Sequence, residues 1–91
     1  MLTHHWAKPD RVVDARAQLD RNGDAQSRAA GFGARQTLLS LSDPTQVPTL
    51  VTWQSNEAYD AWRASPERAA AMSGAEELWA KPPQSERFEV V

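Results

Sequence analysis

The order in which two kinds of periodicity follow one another limits this chain's fold more than any single residue does. Leu2 to Ala7 is short, mixed and tryptophan-bearing, a strand pattern stopped by Lys8-Pro9. Pro9 suits a first helical turn, where its missing N–H costs nothing, and Asp10 puts negative charge at the positive end of the helix dipole. Val12, Ala15 and Leu19 recur at i, i+3 and i+7, with Val13 and Ala17 alongside, which predicts an amphipathic helix. The pattern weakens at Asn22-Gly23 and runs on through Ala25, Gln26, Ala29 and Ala30 to Gly31, a good residue just past a helix end. Phe32 to Ser42 and Val47 to Gln54 read as strands of an antiparallel hairpin around the turn cluster Ser42-Asp43-Pro44-Thr45, with Pro48 at the entry of the second. Ser55 is a helix N-cap with Glu57 in the first turn. Ser65-Pro66-Glu67 repeats that signal and restarts the helix to about Met72. Gly74 interrupts it, Glu76 to Ala80 adds a further turn, and Lys81-Pro82-Pro83 reads as a linker. Phe88 and Val90 alternate with Arg87 and Glu89, so Glu86 to Val91 reads as a final strand. The order is β-α-β-β-α-β: an α+β, ferredoxin-like antiparallel sheet with its helices on one face.

With 91 residues the chain holds one domain, residues 1–91. It has no cysteine, which removes disulfides, thiol catalysis and thiolate metal sites and fits a reducing cytoplasm. The start, MLTHHWAKPD, has no apolar core of a signal peptide, and no apolar run is long enough to span a membrane. Ten basic residues against twelve acidic ones form no basic patch, so neither nucleic acid nor membrane is an expected partner.

Leu38 and Leu39 are adjacent and both apolar. Side chains alternate along a strand, so both faces of that strand are expected to be buried. Helices cover one face only. A second copy covering the other is the expectation, and a cavity enclosed there is where a small molecule would bind.

His4 and His5 are the only histidines, and on a strand they project to opposite faces. They cannot share a metal, no spaced carboxylate cluster is present, and no metal is expected. The histidine that faces the cavity is a candidate general base. Arg35, on the strand face of Leu39 and Leu41, is a candidate for anion binding; a surface salt bridge is its plainer reading. Trp6, Trp53, Trp62 and Trp79 serve a core or an aromatic cavity equally well. Gly31-Phe32-Gly33 lacks the third glycine of a dinucleotide loop, and no other cofactor motif occurs.

The stretch Thr52 to Glu67, with Trp53, Ser55, Ala58-Tyr59 and Trp62, resembles the strand-to-helix segment of the antibiotic biosynthesis monooxygenase family, as does the Ala30-Gly31-Phe32 entry to the second strand. The resemblance implies a homodimer forming a dimeric α+β barrel. It implies cofactor-independent oxygenation of a small hydroxyaromatic, quinol or polyketide-like substrate, with no cofactor required. Trp53 and Tyr59 match the spacing of the site tryptophan and tyrosine of such oxygenases. With His4 and His5 they form the candidate catalytic set. Arg35, Trp62, Met72 and Thr49 form the candidate substrate-binding set. Thr49 stands where the family's asparagine is expected, and Met72 stands near its arginine and where its haem degraders carry a ligating histidine. These departures speak against haem degradation. They leave a non-catalytic, dimeric small-molecule-binding protein as the alternative, and an isomerase or lyase as a third reading.

Overall fold

The computed structural model describes all 91 residues, Met1–Val91. Four strands, β1 (Leu2–Ala7), β2 (Phe32–Thr37), β3 (Thr49–Trp53) and β4 (Trp79–Glu86), form one antiparallel sheet in the order β2-β3-β1-β4. Helices α1 (Val12–Gln26), α2 (Asn56–Arg63) and α3 (Pro66–Met72) accompany it, with a short 3₁₀ turn at Glu76–Leu78 leading into β4. This is the ferredoxin-like α+β arrangement that the periodicities predict.

The two serine caps form as read. Ser55 Oγ accepts from Ala58 N–H, and Ser65 Oγ accepts from Arg68 N–H, each satisfying a donor that the first helical turn leaves free. Gly31 closes the link from α1 to β2 with φ +83°, a left-handed conformation that favours glycine.

Other boundaries move. β2 ends at Thr37, not Ser42. Its partner β3 begins at Thr49, opposite Thr37, so Leu39 and Leu41 have no strand to pair with and lie exposed in the connecting loop. The doubly buried strand is therefore absent. Other residues leave apolar surface on the sheet: Leu50 is exposed on the face away from the helices, and Leu2 pairs with it. The last strand is Trp79–Glu86 rather than Glu86–Val91. The supposed linker Lys81-Pro82-Pro83 lies inside it, tolerated because β4 is an edge strand with a register shift opposite His4 and Trp6. Phe88, Val90 and Val91 follow as an exposed extension.

The apolar core is thin. Ala7, Ala15 and Leu78 pack together under the start of α1, and Leu19, Val47, Val51 and Trp62 complete most of it. The inward stripe of α1 is Ala15, Gln18, Leu19, Asn22, Gly23 and Gln26, which follows the helical repeat but is half polar. Val13 and Ala17 face solvent. Gly23 does not break the helix. A Cβ there would lie 2.5 Å from Arg35 Nε, so glycine makes room for that side chain within α1.

Candidate functional site

Thr3, His5 and Ala7 alternate onto the helix-covered face of β1, and His4 and Trp6 onto the open face. The two histidines thus meet different surroundings. His4 stacks on Trp6 at 5.9 Å between ring centroids and pairs with Gln46 Nε2 at 3.1 Å, while Lys81 Nζ sits 4.0 Å over the Trp6 ring. This cluster lies on the open face of the sheet.

His5 lies on the inner face. Its Nδ1 is 3.0 Å from the Val47 carbonyl oxygen. A carbonyl only accepts, so Nδ1 carries the proton of the neutral ring and Nε2 is left with its lone pair free. Burial pushes the imidazole below its ordinary value. The Val47 contact opposes that shift, and the charges of Arg35 and His4 add to it. His5 is therefore a neutral base at physiological pH. It lines a cavity of about 50 Å³ with Met72, Trp79, Lys81 and Pro83. That is space for a reacting hydroxyl or a water, not for a whole ring.

Arg35 also lies on the inner face, while Leu39 and Leu41, with which the sequence grouped it, leave the sheet for the loop. Its Nη1 donates to Gln26 Oε1 at 2.9 Å and its Nη2 to the Leu19 carbonyl at 3.2 Å. No carboxylate touches it, so the salt-bridge reading does not apply either. Desolvation lowers its pKa and the more distant Asp20 partly offsets this; a guanidinium stays charged regardless. A half-buried cation without a contacting anion thus stands within electrostatic reach of His5.

Thr49 is buried opposite Thr3, on the same inner face. Met72 ends α3, where its sulfur accepts from Gln18 Nε2 at 3.1 Å. His5 and Met72 thus line one cavity, Thr49 lies on the same inner face, and Arg35 reaches His5 through its charge alone. Trp53 and Tyr59 lie apart from that cavity. Thr3 pairs with Thr49, which sets His5 and Trp53 six residues apart along the strand direction, roughly 20 Å. At that far end Phe32, Trp53 and Tyr59 stack edge to face at 5.7 and 6.0 Å, and Arg87 lies 4.7 Å over the tyrosine ring. Trp53 Nε1–H is buried there without an acceptor. Trp62 is buried on α2, beside a half-open groove of about 430 Å³ walled by Ala25, Ala29, Ala58 and Ala61. Arg28, Ser65 and Glu67 also line this larger groove, and no histidine does.

Gln18 and Asn22 were not read as site residues. Each is buried with its side-chain oxygen unpaired. The signal lay in the sequence as amides at i, i+4 and i+8 (Gln18, Asn22, Gln26) on the stripe shared with Ala15 and Leu19. No group of three His, Cys, Asp or Glu side chains is placed to hold a metal ion.

A ferredoxin-like sheet with a buried polar layer under its first helix defines the α+β class of this domain. Comparison makes this specific: the profile of antibiotic biosynthesis monooxygenases matches residues 2–74, and the chain belongs to that family. A Bordetella bronchiseptica protein described by the same family name is 21% identical, with a TM-score of 0.86 over 99% of this chain and 94% of that one. SnoaB, a cofactor-independent oxygenase from Streptomyces nogalater, is 12% identical, with a TM-score of 0.80 over 98% of this chain and 92% of its own. A Nitrosomonas europaea protein of the same description is 16% identical, at 0.83 over 91% and 80%. At these identities the likeness is one of fold. No curated protein matches the chain. No helix is long and apolar enough to cross a membrane.

Proposed function

We propose that this protein is a monooxygenase-like enzyme that activates a small hydroxyaromatic for direct reaction with dioxygen, His5 acting as the base. The observation that carries the reading is the His5 ring, held neutral with its Nδ1 on the Val47 carbonyl and no partner at Nε2, in a residue that lines a cavity with Trp79 and Met72. Such chemistry asks little else of a protein, because the electrons come from the substrate. Nε2 takes the hydroxyl proton, and the Arg35 charge stabilises the resulting phenolate. The phenolate passes one electron to dioxygen. The phenoxyl radical, its spin spread onto the ring, and superoxide join at a ring carbon that bears hydrogen, forming a C–O bond. That carbon then loses its proton as the O–O bond breaks, leaving a quinone. One oxygen atom enters the product and the other leaves as water.

Met72 is the gate in this reading. It is unbranched and flexible, its sulfur is held by one weak hydrogen bond, and Gly74 at φ +75° follows it. Swinging it aside enlarges the cavity. Trp53 Nε1–H, unpaired at the far end of the inner face, is the donor that a longer, polyketide-like ligand would reach. Oxygen uptake with a panel of hydroquinones and anthrones is the test. Stoichiometric uptake with quinone formation is expected. Binding without uptake would favour the alternative, a binding protein on the same scaffold, which Thr49 and Met72 at family site positions support.

The assembly proposed is a homodimer packed through the open sheet face, where Leu2, Trp6 and Leu50 lie uncovered by any helix. Light scattering at micromolar concentration is expected to give about twice the 10.1 kDa chain mass; a stable monomer would reject this assembly.

A further inference from the structure

The larger groove, of about 430 Å³, has a free donor on its floor and opposite charges at its rim. It runs between the end of α1 and the α2–α3 pair and shares no residue with the cavity of His5. Its size falls within the range of small-molecule sites. Methyl groups of Ala25 and Ala29 on α1 face those of Ala58 and Ala61 on α2 across it. Trp62 is 4% exposed and lines the same groove, so what remains exposed of it opens there. Its polar contacts are made by the backbone alone, the carbonyl accepting from Ser65 Oγ at 2.7 Å. The indole N–H has no partner and, unlike that of Trp53, is not sealed inside protein. It is a donor within reach of a ligand in the groove. Ser65 Oγ is already committed, because it also accepts from Arg68 N–H. Arg28 and Glu67, both exposed, form the rim. Arg28 gives Nη1 to Asp24 Oδ2 at 2.8 Å and keeps its other donors, while Glu67 enters no ion pair.

We infer that this groove binds a free α-amino acid with an apolar side chain, a zwitterion whose two charges match the two at the rim. The side chain lies between the alanine walls and against the Trp62 ring. The carboxylate accepts from Trp62 Nε1–H and from Arg28, and the ammonium donates to Glu67. A ligand with only one of these charges pairs with one rim residue and leaves the other facing nothing, so charge complementarity selects the zwitterion. The inference is independent of the oxygenase reading and needs nothing from His5.

The test is titration calorimetry of the wild-type protein with L-phenylalanine, 3-phenylpropionate and 2-phenylethylamine. All three carry the same ring on the same two-carbon chain. Phenylpropionate lacks the ammonium and phenylethylamine lacks the carboxylate, so the comparison needs no variant to fold. Phenylalanine is expected to bind about fivefold tighter than either, the upper end for a solvent-exposed charge pair. Arg28→Gln should lower phenylalanine to the level of the amine, and Glu67→Gln should lower it to the level of phenylpropionate. Ala61→Leu fills the groove and should weaken all three by at least about tenfold, its fold checked by circular dichroism. Equal binding of the three ligands, tighter binding of either analogue, no phenylalanine binding at about 10 mM, or full affinity in Ala61→Leu would overturn the inference. Oxygen uptake by the protein is a separate measurement, and neither result decides the other.

Discussion

His5→Gln is expected to lower turnover of a hydroxyaromatic by about 10²- to 10⁴-fold, the usual loss when a positioned general base is removed. Glutamine keeps the polarity of the side chain and its amide can still donate to the Val47 carbonyl, so the fold is retained while the free lone pair at Nε2 is lost. The pH profile carries the more specific prediction. His5 works only when neutral, and burial holds its pKa below the ordinary 6.5. Activity should therefore persist somewhat below that pH and fall as the pH drops through the folded-state value. His4→Gln, on the open face, removes one of the charges that lower the His5 pKa, so it should keep this acidic limb and move it slightly to higher pH. A stability readout follows from the same shift. The unfolded histidine takes up its proton near 6.5 and the folded one only at lower pH. The stabilising contribution is complete above 6.5 and is lost as pH falls through the folded-state value. Denaturant midpoints measured across that range should fall for the wild type and flatten in His5→Gln. An acidic limb that survives the substitution would remove His5 from the mechanism.

How much of this was legible in the sequence depends on how local the signal was. Ser55 and Ser65 were readable as caps because a cap acts on the next three residues. The fold order was readable because each helix and strand carries its own period. Strand ends were not, because a strand stops where its partner stops: Leu38 to Leu41 look like strand until Thr49 is seen to begin opposite Thr37. Pro82-Pro83 looked like a linker because sequence does not show that β4 is an edge with a register shift. The site was half legible. One of two adjacent histidines had to face inward, but which one depended on the register of β1. Trp53 and His5 were grouped by chemistry, and the pairing of Thr3 with Thr49 separates them. Arg35 was grouped with Leu39 and Leu41, a reading that assumed an unbroken strand from Phe32 to Leu41. The end of β2 at Thr37 voids that assumption, and the guanidinium reaches under α1.

Leu19→Ala is expected to cost about 2–5 kcal/mol, the range for deleting a buried leucine side chain where the surroundings cannot collapse. Leu19 is 1% exposed and is the largest fully buried side chain of the domain. Its neighbours on the inward stripe of α1 are mostly polar or small: Ala15, Gln18, Asn22 and Gly23. None of them has apolar volume to fill the space, so the cost belongs at the upper end of the range. The backbone adds to the argument, because the Leu19 carbonyl accepts from Arg35 Nη2 at 3.2 Å. A shift of α1 into the vacated space would pull on the guanidinium that sits where a Gly23 Cβ would be. Total stability for a domain of this size is about 5–15 kcal/mol, and less is expected where so much of the first helix's buried face is amide rather than methyl. The variant should therefore melt roughly 10–30 °C lower, measured by circular dichroism at matched protein concentration because a dimer's melting point depends on it. Val13→Ala is the control on the same helix. Val13 is 81% exposed, and its loss should stay within about 0.5 kcal/mol. A Leu19→Ala protein as stable as Val13→Ala would mean that the thin core beneath α1 does not hold the helix to the sheet.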